Sequence, residues 1–174
     1  MKFYLFIILA VFYISNSWAI DTKAKQAVVV DFNTNEILFE KNSNQKLPPA
    51  SMTKIMTVYV VFDRLMNTDL TIEDTCKVSA KAYRMGGSRT FLEVDDQVTV
   101  KTLLRGIIIQ SGNDASVALA ECLAGTEDNF ANLMNFYAKK LEMNNTNFVN
   151  SSGWPINNHY ATVFDIAILS NSLI

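Results

Sequence analysis

Ser51 and Lys54 stand three residues apart in Ser51-Met52-Thr53-Lys54, directly after Pro48-Pro49-Ala50. A serine hydroxyl is a poor nucleophile until a neighbouring base takes its proton. Residues three apart on a helix share one face, with Cβ atoms about 5–6 Å apart. The spacing therefore sets an amine beside a hydroxyl, and the chemistry it suggests is acyl transfer with Ser51 as nucleophile and Lys54 as its base. Taken alone, so common a pair is more often a helix-capping serine followed by a solvated first-turn lysine.

The element that carries the pair helps to separate these readings. A helix is predicted from about Ala50 to Met66. Met52, Ile55, Met56, Tyr59 and Val60 follow the helical period, and Val58, Val61, Phe62 and Leu65 fill much of the opposite side. A helix apolar nearly all round is a buried one. Burial disfavours the ammonium form of lysine and moves its pKa from ~10.4 toward the ~7–8 at which lysine works as a base.

The other elements must bring partners to this helix. Ala27 to Phe39 reads as a hairpin, with β-branched Val28-Val29-Val30, a turn at Asn33-Thr34-Asn35, and the apolar Ile37-Leu38-Phe39. Residues 67–76 form a polar connection, Gly86-Gly87-Ser88 marks a loop, and Phe91 to Val98 reads as extended. A second apolar helix is predicted from Thr99 to Gln110, stopping at Ser111-Gly112-Asn113, where Gly and Asn tolerate the left-handed backbone of a turn. A third runs from about Asp114 to Ala124. Thr126 caps a fourth, with Glu127 and Asp128 in its first turn and Lys139-Lys140 near its end, a charge order that suits the helix dipole. Asn144 to Gly153 is an Asn- and Ser-rich loop, and a last helix runs from Thr162 onward. No repeat or interdomain linker interrupts the chain.

With 174 residues, 49% hydrophobic and 18% charged, the composition is that of one globular domain. A formal net charge of −2 provides no basic footprint for nucleic acid. One histidine, His159, and two cysteines argue against a Cys/His zinc site and leave a Ser-His-Asp triad a single possible base. His159 reads as a loop or structural residue. Residues 1–19 have the order of a secretory signal peptide: Lys2, an apolar run from Phe3 to Ile14, then Ser17-x-Ala19, with cleavage after Ala19. A short membrane anchor is the alternative, since the positive end is only Lys2. Export permits a Cys76–Cys122 disulfide, although the apolar stretch around Cys122 suggests a small core thiol instead.

Together, Ser51-x-x-Lys54 and Ser111-Gly112-Asn113, 60 residues on, resemble the active-site set of penicillin-binding proteins and serine β-lactamases. Longer stretches resemble the low-molecular-mass D-alanyl-D-alanine carboxypeptidases in particular. They include Pro48 to Lys54, Gly86-Gly87-Ser88, Thr102 to Ala115, Asn145-Thr146-Asn147-Phe148 and His159-Tyr160-Ala161-Thr162. The resemblance implies the α/β (α+β) β-lactamase/transpeptidase-like fold, represented over residues 20–174 by the helical lobe and the N-terminal hairpin of the catalytic domain. It also implies roles. Ser51 attacks the penultimate D-alanine carbonyl of a peptidoglycan stem peptide, Lys54 takes its proton, Ser111 relays a proton to the leaving amine, and Asn113 binds the substrate amide. Water then hydrolyses the acyl-enzyme. A β-lactam acylates the same serine, and neither metal nor cofactor is needed.

This chain departs from the resembled pattern in three places: Glu142 where glycine is common, Ala161 for serine and Phe164 for arginine. Glu142 is expected to remove a favoured helix stop. The third signature, Lys-Thr-Gly, does not occur, since Lys101-Thr102 is followed by Leu103. In the family that strand attracts the substrate carboxylate and supports the oxyanion, and donors of that kind are worth about 10²–10³ in rate. The expectation is therefore a C-terminally truncated catalytic domain with an uncovered sheet edge and little or no turnover, in which a membrane anchor, if any, lies beyond this chain. Two rivals remain. A serine β-lactamase needs a deacylating glutamate in E-x-x-L-N, which Glu142 to Thr146 does not match. A binding remnant would recognise peptidoglycan or penicillin without chemistry.

Overall fold

The structure is a computed structural model that describes residues 20–174; the segment read as a signal peptide, 1–19, lies outside them. Strands β1 (Ala27–Val30) and β2 (Ile37–Lys41) form the expected antiparallel hairpin, with Ala27 opposite Lys41 and a bulge between Val29 and Val30. Its turn is organised by Asp31, whose Oδ1 accepts from the Asn33 and Thr34 amides at 3.0 and 2.8 Å. Ile37 and Leu38, successive residues on opposite faces of β2, are both exposed, so neither face of the hairpin is fully covered.

The helix that carries Ser51 and Lys54 has two parts. Ala50–Met52 form a 3₁₀ turn, and helix α1 (Thr53–Asn67) follows. Cores lie on both sides of α1. On one side Val58 and Val61 join Leu103, Leu104, Val117 and Leu119. On the other, Met56 and Val60 join Phe130, Met134, Phe148 and Leu169. The helix is thus central and buried through its middle, as its all-round apolar pattern requires, while Met52 and Met66 at its ends are exposed.

Short elements that periodicity does not reveal lie between Asn67 and Thr99. Strand β3 (Thr75–Lys77) pairs antiparallel with β4 (Gln97–Thr99), and between them stands helix α2 (Ala80–Tyr83), capped by the Ser79 hydroxyl on the Ala82 amide at 3.0 Å. Phe91 to Val98 is consequently not one extended stretch. Phe91 and Asp95 have φ of 61° and 69°, and only Gln97–Thr99 is strand. The cause is Asp114, whose carboxylate gathers the amides of Thr90 (2.9 Å) and Leu92 (3.3 Å) and turns the backbone between them.

The remaining helices lie where their caps and periods place them. They are α3 (Val100–Gln110), α4 (Asn113–Ala124), α5 (Glu127–Lys140) and α6 (Val163–Asn171). Thr99, Thr126 and Thr162 accept from the amides of Thr102, Asn129 and Asp165 at 3.2, 3.1 and 3.0 Å, each closing a first turn. Glu142 does not abolish the stop of α5. It takes φ of 62° itself, and the Met143 amide reaches back to the Ala138 carbonyl at 2.8 Å, as in a glycine-terminated Schellman motif. Ala161 is buried and pairs with Leu47, and the Phe164 amide donates to the Ser43 carbonyl.

Cys122 is not a core thiol. Burial along α4 ends at Ala120, and Cys122 lies on an exposed turn facing β3, where it forms a disulfide with Cys76 across a Cα–Cα distance of 5.4 Å. The bond closes a sequence separation of 46 residues. Replacing both cysteines by alanine is expected to cost about 2–4 kcal/mol, read as a lower urea midpoint. The unmodified chain should titrate no free thiol before reduction, and two thiols found without reductant would contradict the pairing.

Candidate active site

Every residue singled out for chemistry lies near the N-terminal end of α1, and the reason begins with backbone. Pro49 has φ of −74°, Ala50 turns left-handed at φ 48°, and the 3₁₀ turn then leads into α1. Ser51 lies in the 3₁₀ turn and Lys54 in the first turn of α1, and their separation of three keeps both on one face. Ser51 is exposed, whereas Lys54 is only 4% exposed.

Three oxygens surround the Lys54 amine. Nζ donates to the Ser152 carbonyl at 2.6 Å and to Asn113 Oδ1 at 2.7 Å, and lies 3.4 Å from Ser51 Oγ. A neutral amine has two N–H donors and one lone pair. In the neutral form the two close oxygens can take both donors, which leaves the lone pair for the Ser51 hydroxyl. Burial lowers the Lys54 pKa from 10.5 to about 8. Below that pH the amine holds its proton and cannot act as a base; above it, the base form prevails.

Asn113 reaches Lys54 because it opens α4, and both ends of its side chain are engaged. Oδ1 accepts from Lys54, while Nδ2 donates to the Gly86 carbonyl at 2.8 Å. Its backbone amide also donates to Ser88 O at 2.8 Å, which ties the Gly86-Gly87-Ser88 loop to the site. Ser111 caps α3 and shares with Ser51 and Lys54 a cleft of about 400 Å³, walled by Ile55, Val58 and Ile107. The left-handed residue of Ser111-Gly112-Asn113 is the serine (φ 55°), not Gly112 or Asn113. Gly112 answers to space instead: a Cβ there would stand 2.8 Å from Thr90 Oγ1 and 3.0 Å from Asp114 Oδ1. Asp114 is fully buried. Burial alone would raise its pKa, but hydrogen bonds from Thr90, Ala115 and Leu92 hold it below the usual carboxylate range.

The Asn- and Ser-rich loop contributes what side-chain motifs do not announce. Ser152 acts through its carbonyl, which no residue type signals. Gly153 stands at φ 81° with its Cα so close to Ala50 that a Cβ would lie 1.8 Å from the Ala50 carbonyl oxygen. Thr57, one turn after Lys54, donates to the Ser151 carbonyl at 2.6 Å. His159 is buried and structural. Its Nδ1 accepts from the Val149 amide at 3.0 Å, so Nε2 carries the proton and donates to Thr53 Oγ1 at 2.8 Å. Burial keeps its pKa below 6.5.

Solved structures share this arrangement of elements. The chain superposes on the D-alanyl-D-alanine carboxypeptidase DacD from Francisella tularensis with a TM-score of 0.87 and 39% identity, covering 89% of this chain and 38% of that one. For penicillin binding protein 5 from Haemophilus influenzae the TM-score is 0.85 and the identity 36%, over 88% of this chain and 46% of that one. The fold is that of the penicillin-binding proteins. The sequence profile of the D-alanyl-D-alanine carboxypeptidases matches residues 14–174, and the chain belongs to that family. Among curated relatives, DacF of Bacillus subtilis (strain 168) is 44% identical over 152 residues, or 87% of this chain and 39% of the relative. DacC of Escherichia coli (strain K12) is 41% identical over 157 residues, with the same coverage. The chain thus spans about two fifths of the length of these relatives.

Gly153→Ala tests how tightly the loop is held against the turn that carries Ser51. Both the left-handed backbone and the overlap with Ala50 oppose it, and a loss of about 3 kcal/mol is expected. Thermal unfolding would read it, and an unchanged melting temperature would contradict the close approach.

Proposed function

We propose that this chain carries the nucleophilic apparatus of a serine-type D-Ala-D-Ala carboxypeptidase. Ser51 attacks the carbonyl between the two terminal D-alanines of a peptidoglycan stem peptide, and Lys54 takes the Ser51 proton. Ser111 passes a proton to the leaving D-alanine, and water hydrolyses the ester. Asn113 has one N–H on Nδ2 beyond its bond to Gly86, and that donor is assigned to the substrate amide. A β-lactam presents a comparable carbonyl and acylates the same hydroxyl. The observation that carries this reading is the buried Lys54 amine, held by the Ser152 carbonyl and Asn113 Oδ1 with Ser51 Oγ 3.4 Å away.

Residues 1–19, read as a signal peptide, fit export to the periplasm or cell envelope, where the substrate lies and a disulfide persists. Among the described residues no helix is long and apolar enough to cross a membrane.

Incubation with benzylpenicillin followed by intact mass measurement tests the assignment. One adduct per chain is expected, slowly formed and located on Ser51; Ser51→Ala should abolish it, and Lys54→Ala should slow it by about 10²-fold or more. In the parent the rate should rise as pH increases through about 8, because the neutral amine is the active form. A mass gain that survives Ser51→Ala would sink the assignment. The geometry at Lys54 favours chemistry over the binding-only reading. That second reading would gain if the parent formed no adduct while stem peptide bound equally to parent and Ser51→Ala.

A further inference from the structure

Glu127 is a buried carboxylate that takes no part in the chemistry above, yet its contacts lead to Lys54. It opens α5 and is 6% exposed. Oε1 accepts from both donors of Ser151, the amide at 3.0 Å and the hydroxyl at 2.7 Å. Oε2 pairs with Lys81 Nζ from α2 at 2.8 Å. Burial pushes the Glu127 pKa up, but the bonds from Lys81 and Ser151 and the Lys81 charge hold it below the usual value. The carboxylate is therefore ionised at neutral pH with both oxygens engaged, and the start of α5 suits its charge.

The grip continues through Ser151. Its carbonyl is held from α1 by Thr57 Oγ1. Asn150 Oδ1 accepts from the amides of Gly153 (2.7 Å) and Trp154 (3.0 Å), which closes the loop on its other side. Between these fixed points stands Ser152, whose carbonyl takes one of the two Lys54 donors. If that oxygen moves, the amine loses one of the two bonds that aim its lone pair.

We propose that Glu127 is a positioning residue for the general base: by holding Ser151 it sets the Ser152 carbonyl, and through it the direction of the Lys54 lone pair toward Ser51. The inference rests on the reading of Lys54 as the base of Ser51. Ionisable groups around Glu127 are Lys81 on α2, Asp128 on α5, Glu121 on α4, and His159, which is held neutral. The groups hydrogen-bonded to Lys54 are all uncharged: Ser51, Asn113 and the Ser152 carbonyl.

This arrangement gives the two possible effects of a Glu127 variant opposite signs. Loss of a buried negative charge alone would lower the Lys54 titration midpoint. A loosened loop that admits water would raise it toward 10.5, because burial is what depresses it. The experiment follows the ¹³Cε resonance of Lys54 against pH in the full chain for the parent, Glu127→Ala, Glu127→Gln and Ser151→Ala, alongside Ser51 acylation by benzylpenicillin. Glu127→Ala is expected to raise the midpoint by about 1 pH unit and to slow acylation at pH 7 by about 10-fold or more. Glu127→Gln keeps an acceptor for Ser151 and should restore most of both. Ser151→Ala removes only the hydroxyl bond and should give a smaller rise, which keeps the test open if Glu127→Ala does not fold. Midpoints that stay at the parent value while only the melting temperature falls would reduce Glu127 to a structural role and overturn the proposal. A lowered midpoint in Glu127→Ala would overturn it as well. If the parent takes up no penicillin, the catalytic reading fails, while the midpoints still report whether Glu127 positions the amine.

Discussion

The pair of hydrogen bonds from Lys54 Nζ to Asn113 Oδ1 and to the Ser152 carbonyl is the constraint around which this molecule is arranged. An amine buried beside a serine is useful only if its lone pair is aimed, and aiming it takes two acceptors fixed by two different elements. The acceptors come from the N-terminus of α4 and from the loop before α6, while the amine comes from α1. Packing α1 between two apolar clusters removes its freedom to rotate and holds these three sources in register. The disulfide from β3 to α4 ties the element that presents Asn113 to the small β3–β4 sheet.

This arrangement works against local stability. Lys54 binds fewer protons folded than unfolded between pH 8 and 10.5, so stability rises with pH across that window. Below it the full burial cost, on the order of 3 kcal/mol, is present. Ala50, next to Ser51, and Ser111 hold left-handed backbone, a conformation that disfavours side chains. Gly112 and Gly153 leave space where any Cβ would collide. Apolar burial on both sides of α1 supplies the stability that offsets these costs.

The sequence made the central helix, the juxtaposition of Ser51 with Lys54, and the caps of the later helices legible, because each depends on residue type at fixed spacing. Thr126 with Glu127, and Thr162 with Asp165, are examples in which local chemistry suffices. What stayed hidden depends on contacts far apart in the chain. The β3–β4 pair joins Thr75–Lys77 to the distant Gln97–Thr99, the turn at Phe91 follows from Asp114, and the left-handed Ser111 arises where α3 must hand over to α4. Cys122 looked like core because its neighbours are apolar, whereas its own direction on α4 points to β3. The Ser152 carbonyl is the clearest case, since a backbone oxygen has no signature in residue type. Asn150, Ser151 and Gly153 around it mark a turn-forming loop without saying what it presents.

The most direct measurement of the central claim is the pH titration of Lys54 itself in the unmodified chain, followed by NMR after selective labelling of lysine at Cε. An amine buried among uncharged acceptors with its lone pair toward Ser51 should titrate with a midpoint near 8. A midpoint near 10.5, that of an ordinary solvated lysine, would contradict the account, because the amine would then be too heavily protonated near neutral pH to take the proton of Ser51.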